Sequence, residues 1–137
     1  MERILKLLSV LLVSFAFFQA GAYSADLSTL VSVQNVKYSD CTKVFNTDNI
    51  SLFYYTIASI NANRFTIDEI QSKSGYILFS AVNKQFLATV SNVNVKQAML
   101  KITPVDNNYY FQMGIVSNIF KYIDININTK IENVNFN

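Results

Sequence analysis

The chain has no histidine and no tryptophan, one cysteine, one proline and three glycines in 137 residues. Each scarcity excludes something. Without histidine, the commonest general base near neutral pH is missing, so Ser-His-Asp and Cys-His nucleophile systems cannot be assembled. Zinc sites built from His and Cys fall with them, because Cys41 is the only soft ligand. Cys41 has no second thiol in the chain with which to close a bridge, and it reads as a small apolar packing residue or an intermolecular disulfide. Three glycines cannot supply a GxxxxGK[ST] or GxGxxG phosphate loop, and neither motif occurs.

Charge is sparse as well. Eleven basic and nine acidic residues give a net charge of +2, with no run of one sign. Binding nucleic acid through phosphates needs a basic stripe, so no nucleic-acid partner is expected. The abundance of Asn, Ile, Lys, Phe and Tyr fits an AT-rich coding bias better than an interaction code.

What is present begins with Met1–Lys6, carrying Arg3 and Lys6, then the apolar run Leu7–Phe18 and Gln19-Ala20-Gly21-Ala22. A basic n-region, an apolar h-region and an A-x-A site match a secretory signal peptide over 1–22, with a second possible cleavage site after Ser24. The twelve-residue run falls short of the roughly 20 residues needed to span hydrocarbon. Membrane contact is therefore expected only through an uncleaved signal segment, and the protein is expected to be secreted or held in the cell envelope or periplasm. Cleavage leaves roughly 115 residues, enough for one domain with its own core. Lipid attachment at Cys41 is not expected, because that cysteine lies far beyond the apolar run.

Residues 23–45 are poorly patterned. Leu30-Val31-Ser32-Val33 could form a short strand, and Cys41, Val44 and Phe45 have helical spacing. From 46 to 125 the pattern sharpens into an α+β domain. Asp48 is a good N-cap, and Ile50, Phe53, Tyr54, Ile57 and Ile60 then predict one apolar helix face. After Asn61-Ala62-Asn63 the period shifts towards two. FTIDEIQS, YILFSAV, QFLATVSNV and AMLKITPV read as four strands, with Asn83-Lys84 as a two-residue hairpin turn and Asn92–Lys96 as another. In YILFSAV, Tyr76, Leu78, Ser80 and Val82 share one face while Ile77, Phe79 and Ala81 share the other, so both faces want cover. Pro104 predicts a strand end or an edge. Ile115, Val116, Ile119, Phe120 and Ile123 predict a second helix over 114–123. The tail 126–137 reads as one more strand or a frayed end.

The expected fold is a two-layer α+β sandwich, helix–four-stranded antiparallel sheet–helix. In element order alone it resembles the small helix–sheet–helix domains of bacterial envelope proteins, the helix-grip type among them, a resemblance that implies fold and not function. No catalytic residues, metal site or cofactor are expected. Asp68-Glu69 is the only adjacent acidic pair, and on a regular strand the two point to opposite faces unless a bulge turns one around. Lys73 between Ser72 and Ser74 reads as a polar turn. The candidate surface for a ligand or partner is aromatic: Tyr55, Tyr109, Tyr110, Phe79 and Phe86. These point to an exported, non-catalytic domain that binds a protein partner, at an open strand edge for example. The alternative is a carrier of a small apolar ligand held between sheet and helices near Phe79, Phe86 and Ile119.

Overall fold

Alternating apolar and polar residues make strands wherever one face can be buried, and four such runs here fold into consecutive antiparallel strands. A computed structural model of the chain describes residues 32–128. The N-terminal segment read as a signal peptide and the end of the tail lie outside the described residues. The central strands are β3 (Thr66–Gln71), β4 (Tyr76–Ala81), β5 (Lys84–Asn94) and β6 (Gln97–Pro104). β2 (Thr42–Phe45) adds to β6, so the sheet has five strands in the order β2-β6-β5-β4-β3 instead of the expected four. A separate two-stranded ribbon pairs β1 (Val33–Asn35) with β7 (Tyr110–Gln112). The weakly patterned segment before residue 46 therefore supplies β1, a 3₁₀ turn at Tyr38–Cys41 and β2. Its helical spacing misled because a four-residue strand is too short to display a period, and the turn beside it mimics one.

Both helices pack on the same side of the sheet. That side carries Ile77, Phe79 and Ala81 of β4, Phe86 and Ala88 of β5, and Ala98, Leu100 and Ile102 of β6, all buried. Strand facing thus follows the alternation read from the sequence. Helix α1 (Asn49–Ala62) lies across β3 to β6, and α2 (Gly114–Ile127) packs against α1. Phe120 of α2 meets Phe45 of β2 edge-on at 5.9 Å, and Lys43 of β2 pairs with Asp124 of α2. A row of rings, Phe65–Phe79–Phe86–Phe111, fills the middle of the core with centroids 6.1, 5.5 and 5.1 Å apart.

α1 starts at Asp48 as expected, its carboxylate accepting from the amide and hydroxyl of Ser51 at 2.7 and 2.8 Å. Its buried face is only partly the expected one: Phe53 and Ile60 are buried and Ile57 half-buried. Leu52, Phe53, Thr56, Ser59 and Ile60 point inward, while Ile50 and Tyr54 are exposed. Two small hydroxylated residues decide this. Thr56 bonds back to Leu52 O at 2.7 Å, and Ser59 donates across the interface to Ile119 O at 3.2 Å. With their polar atoms satisfied and little bulk to accommodate, they let the helices approach closely, and the larger Ile50 and Tyr54 are turned outward.

In α2 the stripe Ile115, Val116, Ile119, Phe120 and Ile123 is buried as expected, and the helix continues through Ile127. Asn126 and Ile127, the start of the tail read as one more strand or a frayed end, are therefore helical. The β4–β5 turn is Val82-Asn83, one residue earlier than expected, with Ala81 paired to Lys84. Pro104 does end β6, beyond the point where the β2 ladder stops at Lys101.

Candidate functional site

With both helices on one side, no helix among the described residues packs on the opposite face of the sheet. It presents the alternate residues of each strand: Tyr76, Leu78 and Ser80 of β4, Gln85, Leu87 and Thr89 of β5, and Met99, Lys101 and Thr103 of β6, all half-buried. Leu78 and Leu87 are directly paired across β4 and β5, and Leu87 faces Thr103 across β5 and β6. Tyr38 of the 3₁₀ turn and Tyr109 before β7 rise at one side, edge to face with centroids 6.1 Å apart. Lys101 Nζ sits 6.0 Å from the Tyr38 ring centroid. Together they bound an open groove of about 560 Å³ whose floor includes Leu78, Leu87, Thr89 and Thr103.

The wall is held in place by backbone and ion pairs. Val36 N donates to Tyr109 O at 2.8 Å, tying the loop before β7 to the chain leaving β1. Lys84 reaches over the Phe111 ring to Asp106 at 3.2 Å and to Asn108 O at 2.7 Å, pinning the 105–109 loop. Burial raises the Tyr109 hydroxyl pKa, with Cys41 and Tyr38 adding to it. The ring is therefore a neutral, amphipathic wall.

The opposite border is acidic. The β3–β4 register shifts between Ile67 and Glu69, a bulge that lets Asp68 and Glu69 both bond to residues of the helix-free face. Asp68 accepts from Ser80 Oγ at 2.6 Å and Gln85 Nε2 at 3.1 Å. Glu69 accepts from Tyr76 Oη at 2.9 Å and Gln71 Nε2 at 3.1 Å. These bonds lower both pKa values, chiefly Ser80 for Asp68 and Gln71 for Glu69. Both groups are ionised and exposed near neutral pH, so they carry charge and hold no proton to give. Across the strands the face grades from carboxylates at β3, through Leu78 and Leu87, to Lys101 and two tyrosines.

Other chemistry is limited. Cys41 is fully buried, its thiol donates to Lys37 O at 3.6 Å, and burial with Asp40 nearby pushes its pKa up to about 11. It is a protonated packing thiol and not a nucleophile. Among the described residues, no three His, Cys, Asp or Glu side chains converge as a metal site would require.

Of the aromatic residues singled out from sequence, only Tyr109 borders this groove. Phe79 and Phe86 are buried and stacked on one another. They, with Phe111, fill the space between sheet and helices where a carried ligand would sit. Tyr55 is half-buried on α1, on the other side of the sheet, and Tyr110 is exposed on β7. Tyr38, Leu78, Leu87 and Lys101 escaped notice as site residues. The alternation already set Leu78 and Leu87 opposite the core rings, and a two-layer fold leaves one sheet face without helices; what the sequence did not mark is the Tyr38–Lys101 border that makes a groove of it. No protein-family model matches the chain, and comparison with curated proteins gives no significant match.

Proposed function

We propose that the protein is a non-catalytic, exported domain of the cell envelope that binds a protein partner across the helix-free face of its sheet. The observation that carries this reading is the Leu78–Leu87 pair, lying in an open groove between a carboxylate border and a tyrosine–lysine border. Large apolar side chains on a sheet face that no described helix covers favour burial, and flanking charges of opposite sign give a partner orientation and register. The partner suited to it presents an apolar stripe flanked by a basic and an acidic side. The N-terminal sequence, with its basic start and apolar run, supports export.

The face is a better docking site than the edges. β3 is bulged and carries Asp68 and Glu69, and β2 has only four residues; both are devices that blunt edge pairing. Affinity enrichment from envelope fractions, wild type against Leu87→Glu, tests the reading. At least one protein should be retained by the wild type and reduced about tenfold or more by the variant, since a hot-spot truncation costs ~2 kcal/mol. The melting temperature of the two chains should agree within a few degrees. Equal enrichment by two folded chains would overturn the assignment to this face.

A further inference from the structure

The antiparallel order gathers three features at one end of the sheet: the start of α1 at Asn49, the β3–β4 turn at 72–75 and the β5–β6 turn at 95–96. Among the Asn and Ser residues and the exposed Asp48 at this end stand apolar and basic side chains. Val95, at the tip of the long β5–β6 hairpin, is 90% exposed, and Ile50 and Tyr54, one turn apart on α1, are 66% and 64% exposed. Helix α1 contains no charged residue over its 14 positions. Ile50 and Tyr54 share a groove of about 300 Å³ with Phe53, Val90 and Lys73. Val95 and Lys96 border a neighbouring depression with Asp48. Asp48 is held as the helix cap by Ser51, and Glu69 is turned to the helix-free face by its bond to Tyr76.

We infer that this end docks on an anionic lipid bilayer, Val95, Ile50 and Tyr54 entering the headgroup layer while Lys73 and Lys96 meet lipid phosphates. Gln97 Nε2 donates to Asn46 Oδ1 at 3.0 Å and ties the hairpin to the chain entering α1, so both are presented together to a planar interface. Tyrosine suits the headgroup level because its ring and hydroxyl prefer different media. Lysine places its stem along apolar surface with the charge at the phosphates. Aliphatic insertion combined with basic residues is the two-signal arrangement that peripheral binding needs. No described helix is long and apolar enough to cross a membrane, so this contact lies on the surface. It is separate from the sheet-face reading and does not depend on it.

The test uses the full chain labelled with an environment-sensitive dye at Val95→Cys, Tyr54→Cys or, at the opposite end, Val82→Cys. Cys41 is fully buried with a high thiol pKa, so labelling is confined to the introduced cysteine. With vesicles of phosphatidylcholine containing about a quarter phosphatidylglycerol, spin-labelled lipid should quench the dye at 95 and 54 and leave it bright at 82. Lys73→Glu/Lys96→Glu should raise the lipid needed for half-maximal quenching at 95 about tenfold. The inference is overturned by no quenching at 95, by equal quenching at 82, or by quenching at 95 that the charge reversals leave unchanged. A blue shift at 95 that grows with protein concentration without vesicles would also overturn it, assigning this end to a second copy.

Discussion

Val82 and Asn83 carry φ of 48° and 60°, the left-handed pair that a type I′ hairpin turn demands. Valine is badly suited to the first position, because its branched Cβ crowds the carbonyl in that region. The sequence places the turn at Asn83-Lys84, because Asn is favoured in type I′ turns, and the pairing of β4 with β5 puts valine in the first position instead. Val82→Asn should therefore stabilise the fold by about 1 kcal/mol, read as a higher midpoint in urea at unchanged slope. A lower midpoint would mean that Val82 makes a packing contribution larger than its strain. Gly75 is the opposite case. Its φ is +70°, and a Cβ there would lie 2.8 Å from the carbonyl oxygen of Val90, whose amide in turn donates to Gly75 O at 2.7 Å. Gly75→Ala should cost more than about 1 kcal/mol, because both the conformation and a backbone contact resist it. The Asp68-Glu69 pair was legible as a conditional statement only: the sequence names the bulge that would bring the two together, but a bulge is a property of pairing and leaves no mark in one strand alone.

The elements divide by length. β3 to β6 and α2 repeat their pattern long enough to be read, and the buried faces of β4, β5, β6 and α2 agree with it, while β3 buries none of its residues fully. β1, β2 and β7 have three or four residues each, and pairing makes them strands where the local pattern is silent. α1 was legible as a helix and its face only in part. Its apolar residues encircle it, so periodicity cannot choose a side; Ser59 makes the contact with α2, and Thr56, buried beside it, bonds back within α1. Ser59→Ala removes one hydrogen bond and should cost about 1 kcal/mol, since Ile119 O remains within the α2 ladder. Ser59→Leu, though it adds apolar bulk to a buried position, should cost about 1–3 kcal/mol by forcing the helices apart. If Ser59→Leu proved neutral in denaturant melts, close helix approach could not be what turns Ile50 and Tyr54 outward.

At the scale of the molecule, acid should act through carboxylates whose pKa values the fold depresses. Those of Asp48, Asp68, Glu69 and Asp106 are lowered, each first by a hydrogen bond, from Ser51, Ser80, Gln71 and Asn108 respectively. A depressed folded-state pKa gives stability that is present above the unfolded value and lost as pH falls through the folded one. The melting temperature should hold from neutrality to about pH 5 and fall below about pH 4, and Asp68→Asn/Glu69→Gln should flatten that fall. The sheet face without a described helix is the other molecular-scale feature. The sequence implied that both faces of β4 want cover and that a two-layer fold puts both helices on one of them; which face they take, and the fifth strand that joins the sheet, depend on distant contacts such as Phe45 with Phe120. Photo-crosslinking from single positions in cells producing the full chain tests the consequence most directly, with probes at Leu87 and Thr89 in the groove and at Ser117 on the exposed side of α2. The account predicts one discrete adduct of a protein partner from both groove positions and none from Ser117. Adducts from Ser117 alone, or none from Leu87 and Thr89, would contradict it.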